Sequence, residues 1–545
     1  MSAPEARAPS MNPIDETDEL ALEPASDGDE RAASANAELD PMLERGERKP
    51  RWGDVLELDL ERFDEKGRAE GRWREFTITV RRGVPGARVR VKVLRRRKDE
   101  VEAHLLATVV PSVHAVPAGC EHVPHCGGCS LQELAYAAQL DGKARLVREA
   151  FDAAGFASSV AIAPVLGARA PFRYRNKMEF GFGTRRWIHP DEPQGAPDGF
   201  ALGLHAAELF SKVIDVRSCA IQAEIADRIV ASARELALEQ GLEAWDLKTH
   251  RGLLRHLAFR CTRGPSRGGT HAPSRGGTRG PAHEDTRTPE VLVNLVTSTE
   301  SPERVRPYVD ALLARHPEIT TFVQNVTARA AQVAIGEKEL VLHGPGFVVE
   351  ELGGVRFAIS ANSFFQTNSA QAEELFRLVR EAAALTGKER VFDLYCGTGA
   401  LGLALARDAR EVVGFEQVEA AVRDARRNAE LNGFTNARFV EGDVLDSLAR
   451  LQAGSASPIL AASRERADVC IVDPPRAGLH PDVPARIAAL DAPRIVYVSC
   501  NPRSGARDAA LFETLGYSLV RVQPIDLFPH TPHVESVLLL ARRSA

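Results

Sequence analysis

From Arg390 onward the chain alternates short apolar runs with helical stretches, and that alternation restricts the fold more than any other feature. "RVFDLYC", "REVVGFE", "ARFVEGD", "ADVCIVDPP", "RIVYVSC", "YSLVRVQPID" and "VESVLLLA" read as seven strands. Helical stretches such as "GALGLALARDA" and "VEAAVRDARRNAELNG" separate the early ones. This pattern predicts a doubly wound, mostly parallel α/β sheet, in which ligands bind beyond the carboxyl ends of the strands. Cys396, Glu416, Asp443, Asp473 and Cys500 all fall at those ends. The chemistry is therefore expected on one rim.

The first turn contains Gly397-x-Gly399-x-x-Gly402, which fits a dinucleotide fingerprint but is weak alone. Glu416, nineteen residues after Gly397, can accept hydrogen bonds from ribose hydroxyls in either a nicotinamide or an S-adenosylmethionine site. Two features favour the methyl donor. Asp393 stands just before the glycine turn, and the fourth strand ends in Asp473-Pro474-Pro475-Arg476, which dehydrogenases do not require. Amino-group methyltransferases carry an aromatic ring at the position of Arg476, so that stacking partner is absent. Cys470 lies mid-strand and is expected to pack in the core, which disfavours cytosine-C5 chemistry.

"VSCNP" ends a buried strand on Cys500 and then stops it with Asn501-Pro502. A thiol there is a core hydrophobe or a nucleophile. Uracil C5 attacks a methyl sulfonium poorly until a thiolate adds to C6, and the C5 proton must leave before the cysteine does. Such chemistry needs one cysteine, one general base and a methyl donor. A free thiol is only a few per cent ionised at neutral pH, so Arg503 and the following helix start are candidates for help. Glu535, opening the last strand in "HVESV", is the candidate base if strand directions bring it to the same rim.

At 545 residues, three folded units are expected. The net charge is −6, but residues 1–40 carry eleven acidic and two basic side chains; −6 − (−9) leaves +3 for the rest. Residues 1–48 lack aromatics and read as a disordered acidic tail. Residues 49–112 alternate as a small β-barrel, with nine Arg or Lys between 81 and 98 offering a phosphate-backbone surface. Residues 113–360 mix strands and helices, interrupted at 262–289 by a low-complexity insertion in which PSRGGT occurs twice, read as a flexible hairpin tip. Residues 361–545 form the α/β unit. No apolar run reaches transmembrane length and no signal-peptide core is present, so a cytoplasmic monomer is expected. Cys120, Cys126 and Cys129 crowd into ten residues and, with Cys219, make a three-plus-one ligand set that spacing assigns equally to zinc or a [4Fe–4S] cluster.

"SFFQTN" (363–368), "DLYCGTG", "DPPRAGL", "VSCNP" and "HVESV" follow in the order found in the RNA uracil-C5 methyltransferases that make 5-methyluridine, and the chain after residue 50 resembles that family. The resemblance implies a Rossmann-like class I methyltransferase domain at the C-terminus, a TRAM/OB-like barrel at the N-terminus and a central α+β domain. It implies Cys500 as nucleophile and Glu535 as proton acceptor. It implies that Gln366, Tyr395, Glu416, Asp443 and Asp473 bind S-adenosylmethionine. Ala400 departs from relatives with a polar residue there. "FRYRNKMEF" (172–180) also resembles the family, and its Arg173, Arg175, Asn176 and Lys177 would suit RNA contacts. The 23S ribosomal-RNA members hold a [4Fe–4S] cluster through such cysteines, so 23S rRNA is the expected substrate and tRNA the alternative. An iron–sulfur oxidoreductase and a catalytically idle RNA-binding protein are the readings from other classes.

Overall fold

The computed structural model describes residues 48–157, 160–207, 209–265, 288–330, 335–453 and 466–543, together with Met42 and Gly46. Most of the acidic stretch and the centre of the arginine-rich insertion lie outside the described residues.

Five strands, β1 Val55–Phe63, β2 Ala69–Trp73, β3 Phe76–Val80, β4 Arg88–Arg97 and β5 Glu100–Val110, close into a barrel in the order β1-β2-β3-β5-β4. Alternation dictates its core: Leu56, Leu58, Leu60, Val89, Val91 and Val93 point inward. The outward basic side chains of β4 are not a bare cationic face. Arg88 lies opposite Asp59 and pairs with it at 2.9 Å, and Arg90 pairs with Glu57 at 3.3 Å. Cross-strand acids on β1, which charge clustering along one segment does not reveal, pair with these two of the nine basic residues.

Helix α1 Tyr136–Phe151 and the two-residue strand β6 Ala161–Ile162 follow. The central sheet then contains β7 Lys177–Gly183, β8 Ala201–Ala206, β9 Leu209–Asp215, β10 Leu254–Thr262, β11 Glu290–Thr297, β12 Ile319–Val326 and β13 Lys338–His343. Its order is β13-β12-β11-β10-β7-β8-β9, with α2 Glu224–Glu239 and α3 Pro302–Arg315 packed on one face. The β10–β11 ladder closes at Thr262↔Glu290, so the insertion emerges from a hairpin end.

A hairpin, β14 Phe347–Leu352 and β15 Val355–Ser360, leads through residues 361–368 into α4 Ser369–Ala383. The α/β unit then runs β16 Arg390–Leu394, α5 Ala400–Leu405, β17 Glu411–Glu416, α6 Glu419–Leu431, β18 Ala437–Glu441, α7 Val444–Gln452 and β19 Val469–Val472. It continues with α8 Val483–Ala488, β20 Arg494–Ser499, α9 Pro502–Thr514, β21 Tyr517–Ile525 and β22 Glu535–Arg542. The sheet order is β18-β17-β16-β19-β20-β22-β21-β6; β16 to β20 are parallel and β22 is antiparallel to both neighbours. Strands covered on both faces read as unbroken apolar runs. Phe392 and Leu394 face one core layer, while Val391 faces the other. The seven expected strands are all present, and β6 adds an eighth too short to leave a periodic signal.

Helix α1 is tied to the loop that leads into β22. Lys143, fully buried, donates to Asp526 at 2.5 Å and to the Phe528 carbonyl at 3.1 Å, and the Tyr136 hydroxyl donates to Asp526 at 2.8 Å. A buried pair leaves a strongly unfavourable charge when one partner is removed. Lys143→Met is therefore expected to cost about 3–5 kcal/mol. Adding Asp526→Asn recovers part of that loss; urea unfolding followed by tryptophan fluorescence checks both.

Candidate active site

β20 ends at Ser499, so Cys500 is the first residue beyond the strand. Asn501 caps α9 by accepting from the Arg503 N–H at 3.1 Å, and Pro502 occupies its first turn. Because β22 runs against β20 with Ser536 opposite Ser499, its first residue, Glu535, faces the position of Cys500. The two strand ends therefore converge on one rim. Cys500 is half-buried and Glu535 is buried.

Burial sets the proton affinities of this cluster. It pushes the Cys500 thiol up to about 11, aided by the Glu535 and Asp473 carboxylates and opposed by Arg476. Glu535 is lifted to about 8 by burial and then by Asp473, again opposed by Arg476. Asp473 rises to about 7 through burial. The cation serving the thiol is thus Arg476, not Arg503. Arg503 instead pairs with Glu65 of the barrel at 2.9 Å, with a largely exposed side chain.

Arg476 is held on all sides. Its guanidinium donates to His533 Nδ1 at 3.2 Å, which requires that nitrogen to be unprotonated. Burial and Arg476 lower His533 to about 4, which agrees. The Arg476 carbonyl accepts from Asn501 Nδ2 at 3.3 Å and Ser504 Oγ at 3.2 Å. Buried Asp508 accepts from the Leu479 N–H at 2.8 Å and the Tyr497 hydroxyl at 2.6 Å, fixing the far end of the loop to β20. Sequence reading missed both Arg476 and His533; the signal was that each lies three or fewer residues from a predicted site residue. Cys500 opens into a groove of about 940 Å³ lined also by Arg476, His533, Arg503 and, from the barrel, Glu65 and Lys66.

The donor side lies along the same rim. Gly397 and Gly399 adopt left-handed φ of 53° and 78°, as does Tyr395 at 63°, so the chain turns sharply between β16 and α5. Glu416 Oε2 accepts from the Gly397 N–H at 3.0 Å and Oε1 from the Val418 N–H at 2.8 Å, which fixes the acid against the turn. Asp393 is fully buried and accepts from the Gly402 N–H at 2.8 Å, and burial lifts it to about 7. Asp443 caps α7 through the Asp446 N–H at 3.1 Å, and its charge helps burial raise the half-buried Tyr395 to about 12. Asp473 directly follows β19. Gln366 sits on the loop before α4, its carbonyl accepting from Asn176 Nδ2 at 3.0 Å. Cys470 is buried in the core, as its mid-strand position predicts.

Cys120, Cys126, Cys129 and Cys219 line one cavity of about 310 Å³, with Phe364 and Phe365 among its apolar walls. Burial raises Cys126 to about 11 and Cys129 to about 12, and each is raised further by the other cysteines of the set. All eight cysteines are free. Among the described residues no three His, Cys, Asp or Glu stand close enough to hold a single metal ion. Around this cavity several side chains of "FRYRNKMEF" are paired within the fold, though Arg173 is exposed. Arg173 Nη1 donates to the Cys219 carbonyl at 2.9 Å and to Asp227 at 2.8 Å, Lys177 pairs with Glu179 at 2.7 Å, and Asn176 is buried. Among the described residues no helix is long and apolar enough to cross a membrane.

A parallel sheet with the last strand inserted antiparallel beside β20, a glycine turn after β16 and an acid at the end of β17 define an S-adenosylmethionine-dependent methyltransferase. The chain belongs to the family described as tRNA (uracil-5-)-methyltransferase, whose sequence profile matches residues 347–543. It is 36% identical to an uncharacterized RNA methyltransferase of Chlorobaculum tepidum over 92% of this chain and 99% of that one. It is also 36% identical to an uncharacterized RNA methyltransferase of Caldanaerobacter subterraneus over 90% and 99%. The crystal structure of the Pyrococcus abyssi tRNA (uracil-54, C5)-methyltransferase with S-adenosyl-L-homocysteine matches with a TM-score of 0.64 at 28% identity, covering 89% of this chain and all of that one. The oxidoreductase reading of the glycine fingerprint falls with this membership. The enzyme is an RNA uracil-C5 methyltransferase.

A carboxyl raised from 4.5 to about 8 favours the fold in its neutral form and penalises it as pH rises between those values. Glu535→Gln removes that penalty. The variant is expected to melt at the same temperature as the parent near pH 4 and several degrees higher at pH 9, as checked by calorimetry across that range.

Proposed function

We propose that the enzyme methylates C5 of uridine in 23S ribosomal RNA through a covalent adduct on Cys500. The observation that carries this reading is the register Ser499↔Ser536, which sets the thiol and the Glu535 carboxyl against each other at one rim beside Arg476. The Cys500 thiolate, favoured by the Arg476 guanidinium, adds to C6 and moves the C5–C6 electron pair into an enolate. C5 then takes the methyl group that bound S-adenosylmethionine supplies, and S-adenosylhomocysteine is the leaving product. Glu535, in its ionised form, accepts the C5 proton. The electron pair of that C–H bond re-forms C5=C6 and expels the thiolate. An acid near 8 suits a group that must take up a proton and release it each turnover.

Gln366, Tyr395, Glu416, Asp443 and Asp473 hold the donor. Four of the five stand at successive strand ends, and Glu416 retains acceptor capacity for ribose hydroxyls after its two backbone bonds. Cys120, Cys126, Cys129 and Cys219 hold a [4Fe–4S] cluster. All four line one cavity of about 310 Å³, and cysteine thiolates are the ligands such a cluster takes. The cluster stabilises structure, since methyl transfer moves no electron. The barrel acts as a TRAM-like RNA contact at the lip of the Cys500 groove.

The second reading is tRNA, favoured by the structural match to a tRNA enzyme that spans 89% of this chain. RNA containing 5-fluorouridine separates the two, because fluorine cannot leave as a proton and the adduct stalls. A denaturant-resistant band with 23S rRNA fragments, absent in Cys500→Ala, supports the proposal; a band with tRNA alone moves the substrate. Arg476→Ala is expected to slow adduct formation by about tenfold for each unit by which the thiol's pKa rises, and adduct yield against time at several pH values measures it.

A further inference from the structure

Residues 173–176 are bonded on both edges. On one, the Arg173 N–H donates to the Ala220 carbonyl at 2.9 Å and the Arg175 N–H to the Ile221 carbonyl at 2.8 Å, directly after Cys219. Arg173 Nη1 also holds the Cys219 carbonyl, at 2.9 Å. On the other, the Asn176 N–H donates to the Thr367 carbonyl at 2.7 Å, and Arg175 bridges Asn368. Asn176 Nδ2 donates to both the Gln366 carbonyl at 3.0 Å and Ser369 Oγ at 2.9 Å. Four backbone residues therefore separate a cysteine of the ligand set from the loop that carries Gln366. Phe364, Phe365 and Thr367 of that loop also form part of the wall of the cysteine-lined cavity.

We propose that this strap couples occupancy of the cysteine-lined cavity to the donor site, with Asn176 the positioning residue that seats Gln366. The proposal rests on the readings that Gln366 contacts S-adenosylmethionine and that Cys120, Cys126, Cys129 and Cys219 hold an iron–sulfur cluster. A filled cavity fixes Cys219 and the Phe364–Phe365 wall, which holds the 363–368 loop in its donor-binding position. An emptied cavity releases both supports. Asn176 is suited to the task because its single amide group spans the loop's Gln366 carbonyl and Ser369 at the start of α4 from a buried position, where no water replaces a lost bond.

The test measures S-adenosylhomocysteine affinity by anaerobic calorimetry on the iron-loaded full chain, on the same protein after chelation, and on Asn176→Ala in both states. Chelation of the parent is expected to weaken binding about fivefold or more, the lower range of an allosteric coupling. Asn176→Ala should weaken it comparably while retaining the cluster's absorbance. Chelating that variant should then add little, and its KM for the donor should rise with kcat nearly unchanged. Affinity unchanged by chelation, or losses that simply multiply, would overturn the coupling. Gln366→Ala tests the underlying reading separately. If it leaves affinity unchanged, hydrogen exchange of peptides spanning 363–368 decides the matter: exchange must rise on chelation while β16 to β20 stay protected, and no rise sinks the proposal.

Discussion

The meeting of Cys500 and Glu535 at one rim depends on one reversed strand. Were β22 parallel to its neighbours, Glu535 would start at the opposite edge of the sheet, a strand's length from Cys500. Running antiparallel between β20 and β21, it places its first residue where β20 ends. Register matters as much as direction, because side chains alternate faces: a slip of one residue would turn Glu535 away and bring Ser536 or Val534 to the rim. The pairing of β22 with β21, from Ile525↔Glu535 to Tyr517↔Arg542, fixes that register from the second side.

At that rim the protein gathers three acids with raised proton affinity, Asp393, Asp473 and Glu535, and a thiol raised likewise, beside one guanidinium. Desolvation disfavours every charged form, so the site tends toward neutrality. Such an arrangement costs stability and leaves protons available for transfer. The uncharged His533 fits the same logic, since it accepts a hydrogen bond from Arg476 without competing for the thiolate.

The α/β sheet was legible because buried parallel strands are written as apolar runs. The strand-end residues Cys500, Asp473 and Glu416 followed from it, since a strand's last residue can be counted from its pattern. Direction could not be read that way, which left Glu535 conditional until β22 was seen. Arg503 was chosen as the thiol's cation by adjacency in sequence, yet Arg476, twenty-four residues earlier, arrives through the fold. The partners of Arg173 and Lys177 in "FRYRNKMEF", Asp227 and Glu179, could not be read from a sequence, which shows charge without showing what it pairs with. The pairing of Arg90 with Glu57 across two barrel strands was hidden for the same reason. Strand β6 carried too few residues to have any period.

That short strand has a consequence for how the enzyme is assembled. Val147, Phe151, Phe156 and Val160 fill the same core layer as Phe392, Tyr497 and Leu538, and β6 closes the sheet next to β21. The segment that resembles the family profile, 347–543, thus borrows its last edge and part of its interior from a stretch nearly two hundred residues earlier. The methyl-transferring half is not a cassette that could be passed between proteins intact. Cut at residue 347, it would lose an edge strand and bare the apolar layer that Val147, Phe151 and Phe156 help to fill.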